Sequence, residues 1–576
     1  MLVGARGAYR LAQALPSIQV PATVHAVLAA RIDRLPPEEK QLLQTAAVIG
    51  TEVPLPLLQG IAELPEDALY RVLTHLQAAE FLYETRLFPE HEYTFKHALT
   101  HEVAYGGLLQ EQRRALHART VAALEALYAD RLAEQVARLA QHAFRGEVWD
   151  KALPYCRQAG IRAMRQAAYR EAVAYEEHAL TALRHLPETH ETMEQCLDLH
   201  FDLRAALLAC GELARVLEVL RAAETLAEAL GDSRRQGRVA LYMALQFSYA
   251  CAYDQTIAAS ERALVLATTS GDVGGQVQAH NYLGIAFHAM GDYSRAMVVL
   301  QQARASLTGE QCYERFGQVS LPAVLTRTWL GLCLAEVGAF REGLTIGTES
   351  RRLAEAVDHP VDRMGASYTL GLLYLYKGEL SAALPLLEHA LGICKEVLPL
   401  YFPIIAGDLG QAYAASGRGD DALALLEQAV AQMTAIGMTW FLARVVARLS
   451  EAVLVTGRLE EAMAQARRAV ELSRTHKERG TEAWALRCLG DAALHGDLPA
   501  DQATIYYQQA FTLAGALGMR PLQAHCHRGL GTLYAKTGQQ EQARAELSTA
   551  IEMYRAMDMA FWLPQAEAAL AQVEGQ

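Results

Sequence analysis

From about residue 190 onward, apolar, small and polar positions recur in one fixed order. "YLGIAFHAMGDYSRAMVVLQQA" (282–303) is echoed by "TLGLLYLYKGELSAALPLLEHA" (369–390) and "DLGQAYAASGRGDDALALLEQA" (408–429). It returns in "RLSEAVLVTGRLEEAMAQARRA" (448–469) and "GLGTLYAKTGQQEQARAELSTA" (529–550). Each copy opens on a Leu and a small residue, carries a turn Gly seven on, and places Ala or another small residue twelve and nineteen on. Apolar spacing near 3.6, broken by a glycine, predicts two antiparallel helices per copy. The first small residues are Gly284, Gly331, Gly371, Gly410, Ser450, Gly490 and Gly531, at steps of 47, 40, 39, 40, 40 and 41. Self-similarity at a period of this size predicts stacked helix pairs, because one pair cannot bury its apolar face alone.

Within a unit the roles follow from residue size. Gly291, Gly338, Gly378, Gly417, Gly457 and Gly538 stand where the first helix must end, a place that favours positive φ. Small residues such as Gly284, Ala296 and Ala303 let two helices approach, and Leu283, Phe287, Tyr293 and Leu300 fill the space between. Weaker copies precede these at 203–224 and 243–264. The step of 47 marks an insertion, "LTGEQCYERFGQVSLPAVLTR" (307–327), and "HGDLPADQA" (495–503) is one residue longer between helices.

The order Leu-Gly, Tyr, Gly, Tyr/Phe, Ala, Ala resembles that of tetratricopeptide repeats, whose common period of about 34 is here near 40; HEAT and armadillo repeats are the alternative, but their units lack this framework. The expected fold is all-α: a right-handed α-solenoid of tetratricopeptide-like helix pairs, roughly ten units, over 131–576. Such a solenoid is expected to present a groove lined by its first helices. The positions expected to be exposed there are Asn281, Ile285, His288, Tyr368, Leu372, Leu375 and Gln411, whose mixed character suits a peptide, a partner protein or a small effector.

The first 130 residues follow another pattern. "LVGARGAYRL" (2–11) reads as a short hairpin around Gly4 and Gly7. Helices are predicted over 20–35, 36–50 and 65–80, the second opening on Pro and acids and closing on Gly50. "FLYETR" and "EYTFKH" flank a turn near Pro89. Three helices and a hairpin predict a small winged-helix domain and a connecting helix over 20–130. Its third helix offers only Arg71, His75 and Gln77 for DNA, beside Glu66, Asp67 and Glu80, which makes a structural or regulatory role the expectation. Over 131–186, Trp149/Ala152/Ala159 and Tyr169/Ala172/Ala179 already show repeat spacing, with the helix at 149–166 shared between two units.

Composition narrows the function. The chain has 576 residues, 52% hydrophobic and 20% charged, with a net charge of −13. That balance disfavours nucleic-acid binding, which depends on clustered positive charge. No apolar window is long enough to span a membrane. Nine scattered cysteines without a CxxC pair predict buried, reduced thiols and a cytoplasmic protein.

Three segments then resemble one family closely: "VPATVHAVLAARIDRLPPEEKQLLQTAAVIG", "YTFKHALTHEVAYGGLLQEQRRALHARTVAALE" and "DKALPYCRQAGIRAMRQAAYREAVAYEEHAL". They look like the C-terminal half of bacterial STAND-type signalling ATPases, of the kind that carry a class III adenylate/guanylate cyclase domain, then an AAA-type ATPase, then tetratricopeptide repeats. "ERFGQVSLPAVLTRTWLGLCLAEVGAFREG" and "LPLYFPIIAGDLGQAYAASGR" resemble that family's repeat region, so the match covers nearly the whole chain. The resemblance implies a solenoid that senses a partner and biases an ATPase switch. No phosphate loop, GxxxxGK[ST], is present, the single Lys-Thr pair being Lys536-Thr537 inside a repeat. The expectation is a truncated or split relative, with 1–19 as the remnant of a missing ATPase module, and no enzyme activity or cofactor in this chain. The alternatives are a fragment of a nucleotide cyclase with its catalytic part upstream, or a transcription regulator using the winged helix.

Candidate metal chemistry is weak. His97, His101 and Glu102 read HxxxHE rather than HExxH, and no third ligand is evident. The "HCH" at 525–527 cannot share a helix face. No GxSxG context supports a nucleophile. The expectation is no metal and no catalytic residue, with His97 and Tyr105 as packing positions.

Overall fold

In a computed structural model the described residues are 2–3, 10–11, 22–86, 91–496 and 499–575. They form two compact units, 1–206 and 207–576. Gly4, Gly7, the turn at Pro89 and part of the loop at 495–503 lie outside the described residues.

In the first unit, β1 (Leu2–Val3) pairs antiparallel with β2 (Arg10–Leu11), as the apolar ends of that segment predict. Helices α1 (Ala22–Asp33) and α2 (Pro37–Ile49) follow, then β3 (Glu52–Pro54), α3 (Leu55–Ile61), α4 (Glu66–Ala78), β4 (Leu82–Arg86) and β5 (Glu92–Phe95). The three short strands pair antiparallel in the order β3-β5-β4. Leu42, Leu43, Leu57, Leu58, Leu73, Leu76, Leu82 and Phe95 form one core. The helices and hairpin stand where the hydrophobic pattern puts them, whereas β3 and α3 were not expected. Helices α5 (Ala98–Gly106), α6 (Gln110–Leu127), α7 (Leu132–Arg145), α8 (Trp149–Arg165) and α9 (Tyr169–Arg184) complete the unit with the start of α10 (His190–Ala209). Leu139, Ala143, Ala152 and Ala182 of α7, α8 and α9 join the same core, and α8 packs against both α7 and α9.

The second unit is a run of helix pairs. After α11 (Leu213–Leu230) come α12 and α13 (Ser233–Tyr249, Tyr253–Thr269), α14 and α15 (Val273–Ala289, Tyr293–Ser306), and α16 and α17 (Pro322–Val337, Phe340–Val357). Next are α18 and α19 (Pro360–Lys377, Leu380–Val397), α20 and α21 (Phe402–Ala415, Gly419–Ile436), and α22 and α23 (Leu442–Val455, Leu459–Thr475). The run closes with α24 and α25 (Arg479–His495, Ala500–Leu517), α26 and α27 (Arg520–Lys536, Gln540–Ala556), and α28 (Leu563–Glu574). The insertion after α15 winds a single 3₁₀ turn, Gly309–Tyr313. The fold is the all-α solenoid that the repeat predicts.

The physics of the repeat holds in detail. Gly338 and Gly378 end α16 and α18 at φ +76° and +89°, and the Gly378 amide reaches back to the Leu375 carbonyl. Asp232, Asp272 and Asp292 accept main-chain amides at the starts of α12, α14 and α15, satisfying donors that the first turn leaves free. A Cβ on Gly284 would sit 2.6 Å from Leu300, and Leu300, Ala296 and Ala303 are wholly buried. Each fully buried Leu of this kind contributes roughly 1.5–3 kcal/mol.

One feature goes beyond nearest-neighbour stacking. The turn inside each early pair rests on the loops of pairs about five further along. Gly211 meets Ile436, Gly291 meets Leu517 and the Gly480 amide, Gly338 meets Pro521 and Met557, and Gly378 meets Phe561 and Trp562. The Tyr249 carbonyl accepts from the Trp440 amide at 3.2 Å, and Lys377 Nζ lies 2.6 Å from Asp558. Successive turns of the superhelix therefore touch. No helix among the described residues is long and apolar enough to cross a membrane.

Candidate functional site: the interior of the superhelix

First helices of successive pairs point the same positions inward, so residues one repeat apart meet. Tyr368 on α18 donates to Asp408 Oδ2 on α20 at 2.8 Å, and Arg448 on α22 pairs with the same carboxylate. Tyr376 donates to Glu336 Oε1 at 2.8 Å, forty residues back. Gln411 donates to Glu451 Oε2 at 3.2 Å, again forty apart, and Arg487 pairs with Glu451 and Asp491. Arg444 ties these rungs together: its Nη2 donates to Tyr376 at 3.0 Å and to Asp408 at 3.2 Å. Trp484 donates to Glu336 Oε2 at 3.0 Å.

Burial sets the protonation of these groups. Burial works against the Arg444 charge, but Tyr376, Asp408 and Glu336 outweigh it and hold the guanidinium protonated. Burial pushes the Tyr368 and Tyr376 hydroxyls up, which keeps them donors. Burial lowers His288 to about 3, so its ring is neutral. Buried ions of this sort contribute little net stability while paired, yet removing one partner strands the other.

Three cavities open among these side chains. A small one of about 40 Å³ lies between His288, Glu336, Tyr376, Gln411, Arg444 and Trp484. A second of about 210 Å³ adjoins it through Tyr376, Gln411, Glu451 and Trp484, and extends to Leu375, Arg487, His525 and Trp562. A third of about 140 Å³ is mostly apolar, with Trp329, Met364, Tyr368, Tyr401, Trp440 and Phe441 in its wall. Around the first two, several buried polar atoms have no protein partner: His288 Nε2, Arg444 Nε, Gln411 Oε1, Arg487 Nε and Trp562 Nε1.

The seven residues expected on an exposed groove take a different place. Asn281, Ile285, His288, Tyr368, Leu372 and Leu375 are buried, and Gln411 is half-buried. The expectation of exposure is corrected, because the next repeats cover the face that a repeat taken alone would leave open: His288 lies edge-on to Trp329, and Tyr368 meets Asp408. His288 and Gln411 meet at the first cavity, Leu375 and Gln411 at the second, and Tyr368 lines the third. Asn281 accepts from the Thr326 hydroxyl at 2.7 Å, and with Ile285 and Leu372 lines none of these cavities. The charged rungs were not expected, although Tyr368, Asp408 and Arg448 recur at a step of forty in otherwise apolar helices.

The histidines singled out in the first unit do not converge. His97 is exposed ahead of α5. His101 Nε2 pairs with the Ala47 carbonyl at 2.9 Å, and its ring lies edge-on to Phe95. Instead Tyr105, His117 and His142 form a chain, with links of 3.0 and 2.8 Å. In the "HCH" segment His525 pairs with Tyr554 and His527 with Glu546, two separate partners on α27.

Comparison with known proteins agrees with the repeat. Residues 368–399 match the tetratricopeptide repeat family. A Rhizobium meliloti (strain 1021) protein described as uncharacterized is 30% identical over 151 residues, a stretch that spans 26% of this chain and 15% of that protein. Among solved structures, a Rap protein complexed with competence and sporulation factor aligns over 67% of this chain and 99% of its own, at 13% identity and a TM-score of 0.47. A STAND protein with a tetratricopeptide repeat sensor from Pyrococcus horikoshii aligns over 95% of this chain and 67% of its own, at 11% identity and a TM-score of 0.34.

Proposed function

We propose that the solenoid is a non-catalytic recognition module, the sensor or scaffold part of a STAND-type signalling protein, that takes a peptide, a segment of a partner protein or a small effector in its interior. The observation that carries this reading is the set of unpartnered polar atoms around the two adjoining cavities. A buried donor or acceptor left without a partner costs roughly 1–3 kcal/mol, so a ligand that supplies partners there is favoured. Arg444 Nε, Arg487 Nε and Trp562 Nε1 ask for acceptors, and Gln411 Oε1 asks for a donor. A peptide main chain offers both, and Trp484 gives an apolar wall.

The first unit's three-stranded sheet and helices support a winged-helix reading of 20–130 with a structural role. The outer face of α4 carries exposed Arg71 beside Glu66 and Asp67, and His75 is held 2.9 Å from Glu39, a poor surface for phosphate. The STAND context itself is tested by translating the DNA upstream of Met1, where a phosphate loop supports it.

Affinity selection of short peptides on the full chain, read by mass spectrometry, tests the interior site. Retained peptides should be lost from Gln411→Leu and Trp562→Phe, which remove unpartnered groups while keeping bulk. Retention by neither the parent nor the variants, or equal retention by all, overturns the proposal.

A further inference from the structure

Two turns far apart in sequence meet beside the first cavity. One joins α12 to α13 and carries Cys251; the other joins α23 to α24 and carries His476, Lys477 and Glu478. Cys251 Sγ lies 3.4 Å from Glu478 Oε1, across 227 residues. His476, Cys251 and Glu478 each offer one donor atom here, and these atoms all lie within 4.8 Å of one another. Among the described residues no other group of three or more His, Cys, Asp and Glu side chains converges in this way.

From this geometry we infer that Cys251, His476 and Glu478 form a binding site for a divalent metal ion of the zinc class. The donor set suits such an ion: one sulfur, one imidazole nitrogen and one carboxylate oxygen. Around a tetrahedral zinc ion with bonds of about 2.0–2.3 Å, neighbouring donors stand roughly 3.3–3.6 Å apart, close to the separation of Cys251 and Glu478. A thiolate and a carboxylate balance the two charges of the ion, which a buried site needs. On binding, the Cys251 thiol proton leaves to solvent, and His476 gives the Nδ1 lone pair with its proton on Nε2.

Two further observations point to a ligand. His476 Nδ1 is buried and has no hydrogen-bond partner. Tyr253 supplies an outer contact, donating to Glu478 Oε1 at 2.7 Å and lying 3.4 Å from Cys251 Sγ. Cys251 takes φ +55° at the turn where Gly291, Gly338 and Gly378 stand in other pairs, as Ala167 does at +57°. Lys477 and Asp254, 2.7 Å apart on the surface, cover the two turns.

Zinc titration of the EDTA-dialysed full chain, with bound metal counted by mass spectrometry, tests the site. About one equivalent is expected for a site with three protein donors. Cys251→Gly installs the residue that other turns carry, so the fold is retained by circular dichroism while the ion is lost. His476→Gln and Glu478→Gln should weaken binding by more than about tenfold, whereas Cys196→Ser, at a two-donor contact with His200, should not. Cobalt in place of zinc should show thiolate-to-metal absorption that vanishes in Cys251→Gly. Zinc uptake by the parent no greater than by Cys251→Gly, or a cobalt complex without that absorption, overturns the assignment.

Discussion

The Tyr368 hydroxyl donates to Asp408 Oδ2 at 2.8 Å, and the two residues hold equivalent places on neighbouring first helices, forty positions apart. Asp408 is wholly buried and also faces Arg444 and Arg448. Asp408→Ala strands two guanidinium groups in the interior, and a loss of about 3–5 kcal/mol is expected. Replacing Asp408 by Leu together with Arg448 by Met should recover part of it, because fewer charges are left uncompensated. Denaturant unfolding of the parent and the two variants checks this; Asp408→Ala within about 1 kcal/mol of the parent would contradict the network.

Contacts between superhelical turns can be separated from turn conformation by two glycines. Gly417 has φ +81° and open space where a Cβ would go. Gly378 has φ +89°, and a Cβ there would fall 2.7 Å from Phe561. Gly417→Ala should cost only the backbone term of roughly 1–2 kcal/mol. Gly378→Ala should cost about 1–3 kcal/mol more, through the added clash. Equal losses, measured by thermal unfolding, would mean that these turns do not touch in solution.

Within a pair, close approach depends on one small residue against one large one. A Cβ on Gly371 would lie 2.8 Å from Leu387. Gly371→Ala should destabilise by about 1–3 kcal/mol, and Leu387→Ala by about 2–5 kcal/mol. Together they should cost less than the sum, since the methyl enters the space that the leucine leaves. Additive losses in a double-mutant cycle would exclude that packing.

Acid should weaken the first unit. Burial lowers His117 to about 4, with Arg145 and Arg113 adding to it, and lowers His142 to about 3, with His117, Arg138 and Arg145 adding to it. Both folded values lie below the ordinary value of 6.5. The unfolded chain therefore binds more protons between these limits, so stability is full above pH about 6.5 and is lost as pH falls towards 4 and then 3. Each tenfold difference in proton affinity is about 1.4 kcal/mol, so the pair is worth a few kcal/mol. Hydrogen exchange across α6 and α7 from pH 7 to pH 4 reads the loss, and His142→Gln should flatten it. A pH-independent profile in the parent would rule out neutral burial of the pair.

The repeat was legible because its physics is local. Glycine at a helix end, alanine at a close crossing and leucine in the gap each declare themselves within one unit. β3 and α3 were not, since Pro54 and Pro56 interrupt a short apolar run, yet Leu57 and Leu58 are wholly buried. The interior was misjudged for a different reason. Whether Tyr368 or Leu372 faces solvent depends on side chains of other repeats, and no periodicity within a unit carries that information. The meeting of Cys251 with Glu478 is hidden in the same way, while the polar ladder of Tyr368, Asp408 and Arg448 left a visible trace at the repeat step.

The turns that rest on pairs about five further along give the second unit a second kind of neighbour. An array whose units touch only the next in line comes apart as a chain of separate links, from the ends inward. Here Gly378 leans on Phe561 and Gly291 on Leu517, so the couplings form a wrapped sheet rather than a string. Ending the chain after α27 would then be felt not only at α27 but at the Lys377 turn, in the middle of the sequence, which would lose Asp558, Phe561 and Trp562. Such an array behaves as one block, melting together, and a disturbance at its end reaches its centre in a single step.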